Sequence, residues 1–314
     1  MTDDALFGLL QARARERSRP GRRSDPYVVA LVVEGGGMRG AVAAGMCVAL
    51  ETAGLLASVD RVYGCSSGAL TGCFAAAGQA SQWAGSFEDL AGRAFIDPAR
   101  AFRGGPMVDL DFLFDEVIAR RRPLSEAGLA AGPDFCAVAV SASHAELRVL
   151  RDFGGAPDVL GAVRASCSIP VVTGRPRPYR GEPMVDGGLL EAIPFRTAIR
   201  EGATHVLVLR SREASHRPRR QDRLAERMLA RAHPALAPLL ASCSARYDRD
   251  AAELERRAAE PWRGGPLVRR IAVAAGSRLV PRFTTDRDRV ADTIRLGERT
   301  MALALAQPTQ ALAA

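Results

Sequence analysis

Three short segments carry residue types that could do chemistry together. The first is Gly64-Cys65-Ser66-Ser67-Gly68, a G-x-S-x-G. Glycines on both sides of a serine suit a turn from strand to helix that is too tight for flanking side chains, and the turn holds the hydroxyl out above the sheet edge as a nucleophile. The N-terminus of the following helix stabilises negative charge that develops beside it. The plain alternative is a tight βα turn in which Ser66 merely caps a helix.

The second segment is Gly35-Gly36-Gly37-Met38-Arg39-Gly40. Consecutive glycines let backbone N–H groups approach a ligand closely at the mouth of a helix, which makes an anion site. The anion is either a phosphate or the oxyanion of an ester's tetrahedral intermediate. The same letters contain the G-x-G-x-x-G of a dinucleotide site, but that fingerprint expects an acid at the end of the second strand. Asp60 stands before its strand, and no cofactor site requires the G-x-S-x-G that follows. The Gly-Lys-Ser/Thr ending of a P-loop is missing altogether.

The third segment is Asp186-Gly187-Gly188, entered from Gly181-Glu182-Pro183-Met184-Val185. Alone, such a sequence is most often a turn. It matters because Ser66 needs a base. Of the four histidines, His144 falls in an expected turn, His205 begins a buried strand, and His216 and His233 sit in an Arg-rich segment. None has a motif around it. A carboxylate replaces imidazole where desolvation raises its pKa, and Asp186 has the most suitable surroundings. A Ser–Asp–His triad using His205, His216 or His233 is the rival reading, and a binding module with an inert site is the non-enzymatic one.

The elements that must position these residues follow from patterning. Tyr27 to Val33 is a continuous, β-branched, uncharged run, as expected of a central parallel strand covered on both faces. A helix is expected over Ala41–Leu56, a short strand over Arg61–Tyr63 and a buried helix over Ala69–Ala77. Phe135–Ser141, Glu146–Leu150 and His205–Leu209 read as strands, and Arg289–Leu305 as a final helix. Residues 79–130, with Trp83, Phe87, Phe95, Phe102, Phe112 and Phe114, read equally as a cap over an apolar pocket or as an ordinary helical layer. The alternation of strand and helix predicts an α/β fold, a three-layer α/β/α domain around a mostly parallel sheet. The expected division is a basic extension over 1–25, read as a solvated, partly ordered arm, a catalytic core over 26–210, and an Arg-rich helical region over 211–314 packed on the same domain.

Composition sets outer bounds. The chain has 314 residues, 47% of them hydrophobic, with a net charge of +8 carried by arginine alone. The sign favours anionic partners such as phospholipid head groups. With aromatics at only 5% and no aromatic-interleaved basic groove, nucleic acid is not expected as a partner. The Arg212–Arg263 segment suits either an anionic bilayer or, as the default for a charge run, a solvated helical pair with Leu224, Met228 and Leu229 along one face. The six cysteines form no C-x-x-C pair and read as buried thiols of a reducing compartment. No signal pattern and no membrane-length apolar run is seen, so the expectation is a cytoplasmic protein open to peripheral membrane contact.

Taken together, the three motifs resemble the patatin-like phospholipase family, with its G-G-G-x-[KR]-G loop, G-x-S-x-G elbow and Asp-Gly-Gly or Asp-Gly-Ala in that order. Ala165-Ser166-Cys167-Ser168-Ile169-Pro170 is similar to the family's A-S-x-x-x-P segment. The likeness runs from about Tyr27 to about Leu209. It implies a lipid acyl hydrolase, a serine esterase working by a catalytic dyad without metal or cofactor. Ser66 would be the nucleophile and Asp186 the base. Backbone N–H groups of Gly36, Gly37 and Met38 would bind the oxyanion, and Arg39 would order the loop or meet a phosphate.

Overall fold

The computed structural model describes residues 4–213, 231, 234–262 and 264–306. Its centre is an eight-stranded sheet in the order β5-β6-β3-β2-β1-β7-β8, with β4 paired to β3. The strands are β1 (Val29–Val33), β2 (Arg61–Cys65), β3 (Asp134–Ser141), β4 (Leu147–Leu150), β5 (Arg177–Tyr179), β6 (Glu182–Asp186), β7 (His205–Leu209) and β8 (Leu267–Ile271). The five from β3 through β2, β1 and β7 to β8 run parallel, while β4 and β6 pair antiparallel with β3 and β5 pairs antiparallel with β6. The all-apolar run of β1 is buried at every position because it sits between β2 and β7 with helices on both faces.

One face is covered by α1 (Asp4–Arg15), α2 (Ala41–Thr52), α3 (Ser67–Ala76), α4 (Ala80–Leu90) and the last helix, Arg287–Leu305. The other carries the short helix Phe195–Arg200 and the long helix Ala237–Ala259. The three layers expected from the strand–helix alternation are present. α2 is shorter than expected, ending at Thr52 before Gly54 turns at φ 69°. The last helix crosses α2 in backbone contact. A Cβ on Gly45 would lie 2.0 Å from the Ile294 carbonyl oxygen, and one on Gly297 would lie 2.0 Å from that of Val42.

The N-terminal segment differs from the solvated arm expected of it. Leu6, Phe7, Leu9 and Leu10 of α1 are buried in the main core. Arg13 is buried too, donating to Asp25 at 2.6 Å and to Asp60 at 2.8 Å. The apolar spacing that buries α1 stands just ahead of the arginines of this stretch. A buried cation that meets two carboxylates is a pin between elements, not part of a solvated arm.

Residues 79–130 satisfy both readings offered for them. They form α4, the short helices Ala99–Phe102 and Glu126–Ala131 and the π-helical turns Phe112–Arg121. Trp83, Phe87 and Phe95 also wall an apolar cavity, whereas Phe102 is 93% exposed. In the Arg-rich region, Leu240 and Leu254 of the Ala237–Ala259 helix face the protein while Arg249 and Arg256 face solvent. Leu224, Met228 and Leu229 lie outside the described residues. Five of the six cysteines are buried.

Candidate active site

Strand register brings Ser66 and Asp186 together. Cys65, the last residue of β2, pairs with Val138 of β3, and Asp186, the last of β6, pairs with the adjacent Ala139. The two backbones therefore stand about 9–10 Å apart, two strand spacings, on either side of β3. Both side chains rise from there into one cavity. Ser66 is 7% exposed and Asp186 is 3% exposed.

The elbow has the strained form its glycines imply. Ser66 sits at φ 56° and ψ −129°, outside ordinary helix or strand geometry. A Cβ on Gly64 would lie 2.4 Å from the Gly68 carbonyl oxygen, and one on Gly68 would lie 2.3 Å from that of Val33. Neither neighbour is a side-chain tip that could move aside. The same holds for Gly187, where a Cβ would meet the Val138 carbonyl oxygen at 2.3 Å. Gly188 instead donates its N–H to Asp186 Oδ1 at 2.7 Å and so orients the carboxylate.

Burial raises the Asp186 pKa above the ordinary carboxylate value. The positive charge of Arg282 opposes this, as do the Ser66 hydroxyl and the Gly188 N–H. Asp186 Oδ2 is buried and accepts no formed hydrogen bond. A carboxylate with one oxygen held and the other open beside a serine hydroxyl is suited to taking a proton.

No described histidine is placed to do so. His205 opens β7 opposite Val29, at the end of the sheet away from Ser66. It is buried against Tyr27, and burial holds its pKa down at about 4. His144 lies in the turn after β3, hydrogen-bonded to Glu182 at 3.0 Å. His216 and His233 lie outside the described residues.

The glycine loop packs against the elbow, but its N–H groups are not all open. Gly35 N–H donates to the Ala192 carbonyl at 3.1 Å, Gly36 N–H to Ser67 Oγ at 2.9 Å, and Met38 N–H to the Arg282 carbonyl at 3.0 Å. The trio expected for an oxyanion is therefore reduced here to Gly37, whose N–H has no acceptor among the described residues and which sits at φ 59°. The loop is tied down by Ser67 of the elbow and by the segment after β8, neither of which the glycine pattern reveals. Gly40 ends the loop as the N-cap of α2.

Sequence reasoning missed the network beneath this loop. Glu34, fully buried, receives Arg210 Nε at 2.7 Å, Ser211 N–H at 2.8 Å and the Tyr247 hydroxyl at 2.7 Å. It thereby fastens the loop to the end of β7 and to the Ala237–Ala259 helix. An acid directly ahead of a glycine run was the available signal. The Ala165–Pro170 segment holds the backbones of both Ser66 and Asp186. Ser166 Oγ accepts from Ser66 N–H, and the Ser168 carbonyl accepts from Asp186 N–H at 2.8 Å.

Two cavities meet at Ser66. One is narrow and apolar, about 60 Å³ in volume, and includes Leu70, Trp83, Phe87, Leu113 and Phe283 in its wall. Trp83 stacks on Phe74 at 4.9 Å and donates its Nε1 proton to Thr71 Oγ1 at 3.1 Å. The other is an open cleft of about 810 Å³ that also contains Asp186, Arg39, Arg212 and Arg282.

The model of the patatin-like phospholipase family matches residues 31–199, more than half of the chain. The uncharacterized protein YjjU of Escherichia coli K12 is 31% identical over 199 residues, covering 60% of this chain. That alignment takes in 54% of YjjU, so the chain spans about half the length of the curated relative it matches. Human GIVD cytosolic phospholipase A2 shares the fold with a TM-score of 0.50 at 12% identity, over 96% of this chain and 62% of that one. With the matched segment holding the glycine loop, the elbow and the aspartate, the chain belongs to the patatin-like phospholipase family.

Proposed function

We propose that this chain is a lipid acyl hydrolase that cleaves carboxylic esters through a Ser66–Asp186 dyad and an acyl-enzyme. The observation that carries the reading is the convergence of Ser66 and Asp186, from different strands, where an apolar cavity meets an open cleft. The acyl chain enters the apolar side, which places the ester carbonyl over Ser66. Ser66 Oγ attacks as its proton passes to Asp186 Oδ2, the oxygen left without a partner. The oxyanion lies at the N-terminus of α3, facing the Gly37 N–H, and a shift of the Arg282 carbonyl frees that of Met38 as a second donor. Asp186 returns the proton to the leaving alcohol, then activates water against the acyl-enzyme. At about 60 Å³ the cavity holds roughly two waters. Its walls must therefore open for a long acyl chain, and a short ester is the better first substrate.

The test is p-nitrophenyl butyrate hydrolysis by the wild type, Ser66→Ala and Asp186→Asn, each checked by circular dichroism. Loss of turnover in both folded variants supports the dyad. Full activity in Ser66→Ala overturns the nucleophile. Wild-type inactivity toward acyl esters would leave a lipid-binding module. Replacement of His216 and His233 settles the triad alternative: the dyad expects turnover to survive both changes.

A further inference from the structure

The cleft wall gathers three guanidinium groups around the proposed dyad. Arg39, Arg212 and Arg282 face the same space as Ser66 and Asp186. The Nε atoms of Arg39 and Arg212 are buried without hydrogen-bond partners. Arg212 approaches one carboxylate, Glu34 at 4.0 Å, but Glu34 is already engaged by Arg210, Ser211 and Tyr247. The Arg212 guanidinium lies over the Tyr247 ring at 4.5 Å and that of Arg282 over Phe283 at 5.7 Å, so aromatic faces hold both in place. Neither Arg39 nor Arg282 makes an ion pair among the described residues. Burial, reinforced by the charges of Arg212 and Arg282, pushes Arg39 down to about 10. Two carboxylates remain on the wall. Asp186 is committed beside Ser66, and Glu213 accepts from the Gly276 N–H. Among the described residues the three guanidinium groups outnumber the carboxylates left to meet them, and a bound anion relieves their mutual repulsion.

We propose that Arg39, Arg212 and Arg282 form a headgroup subsite that selects acyl esters bearing a net-anionic phosphodiester over zwitterionic ones. This rests on the reading of Ser66 as nucleophile. Guanidinium groups take phosphate oxygens through paired N–H bonds. An ammonium-bearing headgroup brings a second charge for which no carboxylate on the described wall is free. Arg212 and Arg282 lie beyond the segment matched by the family model, so the selectivity belongs to this chain's own C-terminal part.

The experiment uses short-chain lipids as monomers, so that no charged surface contributes. Binding of dihexanoyl phosphatidylglycerol and dihexanoyl phosphatidylcholine to Ser66→Ala is measured calorimetrically. The subsite predicts about tenfold or greater preference for the glycerol lipid, falling to within about threefold in Ser66→Ala carrying Arg212→Gln or Arg282→Gln. Equal binding of the two lipids, or binding of neither, overturns it. Inorganic phosphate is the further arm. Phosphate binding as tight as the lipid would mean a free-anion site and overturn the headgroup assignment. Wild-type turnover of the same lipids is read separately. Preference without turnover supports the subsite and sinks the hydrolase, and turnover without preference does the reverse.

Discussion

The backbone N–H of Ser66 donates to Ser166 Oγ at 3.0 Å, and the Ser166 hydroxyl donates onward to the Val138 carbonyl at 2.6 Å. One buried side chain thus fixes the strained elbow to the strand that separates it from Asp186. Ser166→Ala leaves a buried N–H and a buried carbonyl unpaired, at a cost of about 1–3 kcal/mol in stability. The elbow should also lose its set, lowering kcat for p-nitrophenyl butyrate roughly tenfold to a hundredfold. Kinetics and urea melts on the same preparation separate the two effects. Unchanged kcat would make Ser166 a packing residue only.

In the proposed dyad, Arg282 tunes the acid limb of activity through Asp186. The carboxyl must be ionised to accept a proton, and its pKa stands above the ordinary 3.8 because it is buried. The kcat/KM profile should therefore rise with pH through that raised value. Arg282→Gln removes a charge that holds the pKa down, so its limb should move to higher pH. A limb that stays in place would show that Asp186 is not the titrating base.

Asp250 offers a stability test away from the site. Burial raises its pKa from 3.8 to about 6, against the opposing charge of Arg196. The folded state thus holds this proton more tightly than the unfolded state does. Its contribution is most favourable below the unfolded value and is lost as pH rises from about 4 through about 6. At pH 8 the buried charge remains, so Asp250→Asn should stabilise the protein there by on the order of 2 kcal/mol. Arg196 keeps Glu253 as a partner in the variant. Thermal melts at pH 4.5 and pH 8 should show the larger gain at the higher pH.

The crossing of α2 and the last helix has no slack. Gly297→Leu forces side-chain atoms into the Val42 carbonyl and should cost roughly 3 kcal/mol or more. Ala302→Leu, at an exposed position of the same helix, should cost less than about 0.5 kcal/mol. Chemical denaturation of the two checks the contrast.

Much of the site was legible because chemistry and turn geometry both restrict residue type locally. Gly64 and Gly68 could be read as required since no other residue fits a backbone at such distances, whereas Gly187 reads as a turn glycine until Val138 is packed against it. The strand at His205–Leu209 was legible to the residue because a run covered on both faces is apolar, as this one is after its opening histidine. What stayed hidden depends on partners far along the chain. Arg13 reads as one more charge in a basic stretch until Asp60 is beside it. Arg210 and Tyr247 read as an Arg-rich flank until both converge on Glu34. The occupied N–H of Met38 has the same origin, for nothing near the glycine loop announces the Arg282 carbonyl.

Trp83 lies in the wall of the apolar cavity, and the chain's other tryptophan, Trp262, is held at its Nε1 by the Gly265 carbonyl away from it. With Trp262→Phe the protein carries one indole emitter, seated where the acyl chain is proposed to enter. Filling of that space then becomes an optical signal intrinsic to the polypeptide, and each added methylene of a ligand series can be followed by emission without a label or a turnover assay.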